Sequence, residues 1–237
     1  MQTPVADGSG QLHCNNKFYM QATAERGMFC CRSLRLWPRC VEPRARMDDA
    51  RAMDETPETP ARPRIYLAGP DVFRPDARAH FVKLAAVCDA LGLAALLPAD
   101  GNDRQASEEA PEKQIYEANM QRLRGADGVV ANLAPFRGLE PDSGTVFEVG
   151  AAVALGIPVV AYGVPAGSYA DRARALLQCA PDASGVLREV GSNIAVEDFG
   201  QPLNLMLACS IHIEPTPEAA LRKMAGLLAS TRQRGGA

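Results

Sequence analysis

Arg64-Ile-Tyr-Leu-Ala68, closed by Gly69-Pro70, is the stretch from which the fold is read. Four consecutive apolar residues between turn formers fit a strand buried on both faces, which is the strand type of parallel sheets covered by helices on each side. Downstream sequence keeps that expectation. Residues 76–91 carry Phe81, Leu84, Ala85, Cys88 and Leu91 at helical spacing, and Gly92 stands where a helix C-terminal glycine belongs. Residues 93–97 read as a second strand, 111–124 as a helix opened by Pro111, and Gly128-Val-Val-Ala-Asn132 as a third strand entered through Asp127. An Ala- and Val-rich helix over 145–155, strands over 157–162 and 209–213, and a closing helix from 217 to about 230 complete the pattern. There is no internal repeat. The alternation predicts an α/β domain with a five-stranded parallel sheet between two helical layers. In such open sheets ligands sit beyond the carboxyl ends of the strands, which singles out the loops after Ala68, Leu97, Asn132 and Tyr162.

Upstream of this domain, assigned to residues 64–237, the chain reads differently. Residues 1–63 show no sustained period of 2 or 3.6 and end in the Pro-, Thr- and Glu-rich Asp54-Glu-Thr-Pro-Glu-Thr-Pro-Ala-Arg-Pro63, so a disordered N-terminal extension is expected. Met47 and Met53 lie just ahead of the ordered pattern, and a start at Met47 is a further expectation. Among 237 residues, 47% are hydrophobic and 22% charged, ordinary for a globular domain. The formal net charge of -3 supplies no basic field for a polymeric nucleic acid. No apolar run reaches the roughly 20 residues that span a bilayer, and the first ten residues lack the features of a signal peptide, so a cytoplasmic protein without membrane association is expected. The seven cysteines include no CxxC pair. Cys14, Cys30, Cys31 and Cys40 with His13 lack the close paired ligands of structural zinc sites, and reduced thiols with no bound metal are the expectation.

Several chemistries find no support. His13, His80 and His212 are scattered, and the chain has no GxxxxGK[ST] phosphate loop, no GxGxxG after the first strand and no GxSxG elbow. Carboxylate chemistry remains. Glu148 is an acid within Thr145-Val-Phe-Glu-Val-Gly150, early in a helix otherwise built from small and apolar residues. One reading is a first-turn acid favoured by the helix dipole or a capping box; the other is a functional carboxylate, approachable because Gly144 and Gly150 flank it. Asp142 has a simple structural reading as the acid that caps this helix ahead of Ser143.

Ile65-Tyr-Leu-Ala-Gly-Pro70, Asn132-Leu-Ala-Pro-Phe-Arg-Gly138, Pro141-Asp-Ser-Gly-Thr-Val-Phe-Glu-Val-Gly150 and Gly200-Gln-Pro-Leu-Asn-Leu-Met-Leu207 together resemble the nucleoside 2-deoxyribosyltransferases. The likeness runs in order from about Arg64 to Leu228 and leaves residues 1–63 untouched. It implies a flavodoxin-like three-layer α/β/α fold and a retaining, two-step exchange of a 2-deoxyribosyl group between bases, with no cofactor. On this resemblance Glu148 is the nucleophile, Tyr66 the hydroxyl that orients it, Asp142 the acid at the base, and Phe73 a ring of the base pocket. Asn119 falls where members carry Asp or Asn. Asn204 matches a residue lent by a neighbouring subunit, which implies a homodimer or larger homo-oligomer. The partners implied are a 2'-deoxynucleoside and a free purine or pyrimidine base, in nucleotide salvage.

Asp71 follows Pro70 and either contacts the base or caps a turn, and Asn102 stands in a loop where Gly101 interrupts the family's usual acid-Asn pairing. The chemistry suits these roles. A carboxylate attacking C1' forms a glycosyl ester, and adjacent negative charge stabilises the oxocarbenium-like transition state. Two alternatives stand beside this reading. Water in place of an acceptor base would make the chain an N-glycoside hydrolase of deoxynucleosides or their monophosphates, for which Arg137 is the sole basic residue in the two signature loops. A non-catalytic nucleotide-sensing domain would keep the fold without the chemistry.

Overall fold

The computed structural model describes residues 61–99 and 110–235. The expected N-terminal extension, apart from its last three residues, and Asn102 lie outside the described residues. Strand β1 is Arg64–Ala68, followed by a single 3-10 turn, Pro70–Phe73, and helix α1, Ala77–Ala90. Then come β2 (Ala94–Leu96), α2 (Pro111–Arg124), β3 (Gly128–Asn132), α3 (Ser143–Ala154) and β4 (Val159–Tyr162). The chain continues through α4 (Tyr169–Leu176), β5 (Cys179–Pro181), β6 (Leu187–Glu189), α5 (Leu205–Ala208), β7 (His212–Ile213) and α6 (Pro217–Gly235).

Five strands form a parallel sheet in the order β2-β1-β3-β4-β7. This is the flavodoxin-like order, in which the chain reverses direction across the sheet between β1 and β3 and leaves a crevice at their carboxyl ends. The register there is fixed early. Asp127 accepts the Arg64 amide at 2.6 Å through its carboxylate and donates its own amide to the Arg64 carbonyl at 2.7 Å.

Because side chains alternate along a strand, each inner strand supplies two cores. Tyr66 and Ala68 of β1, Val129 and Ala131 of β3, and Val159 and Ala161 of β4 pack with Leu123 of α2 and Val149 and Ala152 of α3. Ile65, Leu67, Val130, Val160 and Tyr162 face the other way, onto Phe81, Leu84 and Cys88 of α1 and Ala220, Leu221 and Met224 of α6. Every fully buried Leu, Ile, Val or Met in these layers contributes about 1.5–3 kcal/mol relative to exposure. The unbroken apolar run of β1 therefore follows from two covered faces. Gly92 ends α1 with a φ of +70°, the left-handed conformation expected of it.

Two parts depart from the sequence reading. The fifth strand was expected over 209–213 but is only His212–Ile213. Asn204 caps α5, Cys209 closes it, and the Ser210 hydroxyl donates to the Met206 and Leu207 carbonyls, so the first part of the expected strand is spent on a helical turn. The segment between β4 and α5 was not assigned elements, yet it holds α4 and an antiparallel hairpin of β5 and β6. Three-residue strands such as Leu187–Glu189 are too short to show a period. Among the described residues no helix is long and apolar enough to cross a membrane.

Gly128 faces the fully buried Met224, and a Cβ there would stand 2.4 Å from the Met224 sulfur and 3.2 Å from its Cγ. Replacing Gly128 with Ala is expected to cost about 1–3 kcal/mol of stability through overpacking. Urea unfolding would register this as a lower midpoint with unchanged slope.

Candidate active site

Tyr66 is fully buried in β1, and its phenol leaves the core at one point only, donating to Glu148 Oε1 at 2.6 Å. The carboxylate is brought there by α3. Thr145, Val149 and Ala152 are its buried positions, and Glu148 lies on the flank that meets the end of β1. The helix is started by Asp142, whose Oδ2 accepts the Thr145 amide at 2.9 Å and the Thr145 hydroxyl at 3.0 Å. One oxygen of Asp142 thus holds the helix, and Oδ1 carries no hydrogen bond to the described residues.

Asp142 and Glu148 share a cavity of about 430 Å³ whose walls also include Val72, Phe73, Ile115 and Asn119. That volume is in the range of small-ligand pockets. Asn119 accepts the Ala99 amide at 2.7 Å, which ties α2 to the segment after β2. Phe73 is 63% exposed at the rim and stacks on Phe136 with ring centroids 5.6 Å apart. The Arg137 guanidinium covers both rings, 4.7 Å from the Phe136 centroid and 5.8 Å from that of Phe73. Its charge is directed at aromatic faces, an attraction worth about 0.5–2 kcal/mol.

Electrostatically the site centres on Glu148. Burial raises its carboxyl above the usual range, the Tyr66 hydrogen bond opposes that rise, and the negative charge of Asp142 adds to it. Tyr66 is pushed far upward by burial and by the charge of Glu148, so its hydroxyl remains a donor. A half-buried carboxylate held by one donor at Oε1, lining the cavity with a second carboxyl group nearby, can act as a nucleophile beside a proton-transfer group.

Tyr66, Glu148, Asp142, Phe73 and Asn119 thus converge, while Asp71 and Asn204 do not. Asp71 is only 4% exposed and does not line the cavity. Its Oδ2 accepts from Asn132 Nδ2 at 2.9 Å and the Tyr162 hydroxyl at 3.2 Å, and its Oδ1 lies 3.4 Å from His80 Nε2. Of its two expected roles, contact with a base finds no support in this placement, since these bonds turn its oxygens inward and tie together the carboxyl ends of inner strands. Asn204 caps α5 and donates to Glu197 at 2.9 Å. It is exposed and borders a separate, largely apolar cavity of about 570 Å³ with Val146, Val149, Val153 and Met206.

The sequence reading passed over Asn132, Tyr162, Phe136 and the stacking role of Arg137. Asn132 is the centre of the tether, also accepting the Ala134 amide at 3.1 Å. A Cβ on Gly69 would lie 2.9 Å from the Asn132 Cβ, and one on Gly163 would lie 2.5 Å from its Oδ1, with φ at +77° already disfavouring a side chain. The signal was a polar residue ending an apolar strand, opposite glycines ending both neighbouring strands.

A family profile described as nucleoside 2-deoxyribosyltransferase matches residues 65–206. The solved structure of a 2-desoxiribosyltransferase from Leishmania mexicana is similar, with 30% identity, a TM-score of 0.57, and coverage of 69% of this chain and 97% of that one. An uncharacterized protein of Schizosaccharomyces pombe is 32% identical over 117 residues, which is 47% of this chain. The match spans 55% of that relative's length, so this chain covers about half of the curated relative it resembles.

Glu148→Gln keeps an acceptor for Tyr66 and removes the charge. A carboxyl group raised in the folded state supports folding most below its unfolded value, and that support is lost as pH rises through the folded value. Glu148→Gln is therefore expected to melt at a higher temperature than the natural protein at pH 8, with the gain vanishing below about pH 4, the unfolded glutamate range. Calorimetric melts across that interval would check the sign.

Proposed function

The chain belongs to the nucleoside 2-deoxyribosyltransferase family, and from that premise we propose that it exchanges the base of 2'-deoxynucleosides through a covalent 2-deoxyribosyl intermediate on Glu148. The observation that carries this reading is the 2.6 Å bond from the buried Tyr66 to one oxygen of Glu148, which holds the carboxylate in the wall of a cavity of about 430 Å³. In the first step Glu148 Oε2 forms a bond to C1' as the C1'–N bond breaks, and the electron pair leaves with the base. Asp142 takes up a proton from solvent at Oδ1, the oxygen left open by Thr145, and passes it to the departing base. In the second step a new base attacks C1', the ester bond returns its electrons to Glu148, and the incoming base gives its proton to Asp142.

Each part has a physical rationale. Partial desolvation makes the Glu148 anion less stable and so more reactive, and the Tyr66 hydrogen bond opposes the rise in its carboxyl that burial causes. Proton transfer to a poor leaving group contributes roughly 10²- to 10⁴-fold. A 2'-deoxy sugar lacks the electron-withdrawing 2'-hydroxyl and reaches the oxocarbenium-like state more readily. Phe73 supplies an aromatic wall for the base, braced by Phe136 and Arg137. With its guanidinium on those rings, Arg137 is occupied rather than set aside for a 5'-phosphate, which favours nucleosides over their monophosphates. The function is salvage of bases, inside the cell and without a cofactor.

Incubating the protein with deoxyguanosine and free hypoxanthine is expected to yield deoxyinosine and guanine, and Glu148→Ala is expected to lower this exchange by at least about 10³-fold. Release of guanine and free deoxyribose without deoxyinosine would identify a hydrolase instead. Undiminished exchange by the variant would sink the proposed nucleophile.

The working form is a homodimer or an assembly of dimers in which Asn204 completes a neighbour's site. Its position outside its own chain's Glu148 cavity and beside an apolar cavity on α3 supports this arrangement. Asn204→Ser retains a helix cap and should fold. Alone it is expected to be severely impaired, as is Glu148→Ala; mixed after subunit exchange, the two should recover part of the activity through hybrid sites. A mixture no more active than its components would rule out sharing.

A further inference from the structure

We infer that Asn119 makes the site selective for purines bearing an oxo group at carbon 6 over those bearing an amino group there. The inference rests on the deoxyribosyl-exchange reading and concerns which bases enter it. It begins with a hydrogen bond that admits only one orientation. The Ala99 amide is 2.7 Å from the Asn119 side chain, and a backbone N–H can only donate, so the oxygen of the Asn119 amide must face Ala99. Ala99 is buried, and turning the side chain over would set N–H against N–H and leave that amide unsatisfied. The NH₂ group has no hydrogen bond to the described residues and is left for the cavity that Asn119 lines.

The rest of the cavity makes this group distinctive. Among the described lining residues, Asp142 and Glu148 bring carboxyl groups, Thr145 has committed its hydroxyl to Asp142, and the other side chains are apolar or absent. Asn119 is the one described lining side chain with an N–H to offer. A purine bound through N9 leaves most readily when N7 is protonated, which places N7 at Asp142 Oδ1 in the proposed mechanism. Next along that edge is the substituent on carbon 6. An oxo group there accepts from the Asn119 NH₂, whereas an amino group presents hydrogens to hydrogens. One unmade bond of this kind in a closed site corresponds to roughly tenfold or more in discrimination.

Substitution by aspartate reverses the polarity with little change of shape. In Asn119→Asp one carboxylate oxygen still accepts the Ala99 amide, and the other presents an acceptor to the cavity. The experiment is a competition with deoxyguanosine as sugar donor and equal concentrations of hypoxanthine and adenine as acceptors. Both acceptors divide the same glycosyl intermediate, so the initial ratio of deoxyinosine to deoxyadenosine reports acceptor choice independently of how fast that intermediate forms. A ratio of about 10 or more is expected for the natural protein, falling at least about tenfold in Asn119→Asp. A ratio near 1 in the natural protein, or one unmoved by the substitution, overturns the inference. Unsubstituted purine provides a check that needs no variant: it is expected to rank between hypoxanthine and adenine, and adenine ahead of purine would also overturn it. Formation of neither deoxynucleoside by the natural protein would instead defeat the exchange reading itself.

Discussion

The hydrogen bond from Tyr66 to Glu148 joins the inner strand β1 to the helix that follows its neighbour β3. Both partners need it. A phenol buried to the last atom would carry an unsatisfied hydroxyl without an acceptor, and a carboxylate drawn into a half-buried position would give up its charge without a donor. The parallel register of β1 and β3 sets how far the phenol reaches, and Asp127 fixes that register at the opposite end of the strands. The cap formed by Asp142 then sets where α3 begins, and so where its sixth residue falls. Sheet, cap and carboxylate form one mechanical unit.

A second polar assembly supports the first. Asn132, Asp71 and Tyr162 link the ends of β3, β1 and β4, and two glycines make room for the amide between them. The loops leaving these strands carry Phe73 on one side and Phe136 and Arg137 on the other. Tying the strand ends together fixes the spacing of those loops, so the aromatic rim can be exposed and still ordered by what lies beneath it. A buried carboxylate is justified by this network without touching a ligand.

How much of this could be read from the sequence varied with the length of the signal. The strands covered on both faces announced themselves as apolar runs, α1 showed a helical period, and α2 was marked by Pro111 at its start. Glu148 was conspicuous for being an acid in apolar company, yet spacing alone left helix start and chemistry equally open; the family resemblance favoured chemistry, and the bond to Tyr66 is the geometry on which that proposal rests. Asp71 stayed open between base contact and turn cap because burial cannot be read from one acid in a loop. The hairpin of β5 and β6 and the shortened last strand were illegible because their elements are held by contacts from distant residues rather than by a local period. The orientation of Asn119 depended on an amide twenty residues away, which no local pattern encodes.

The extreme upward shift of Tyr66 has an asymmetric consequence. Burial and the charge of Glu148 make this phenol harder to ionise than a free tyrosine, so the link to Glu148 keeps its donor to higher pH. Acid acts on the other partner, which takes up a proton more readily than an ordinary glutamate. The unit that holds the carboxylate therefore yields to acid more readily than to alkali.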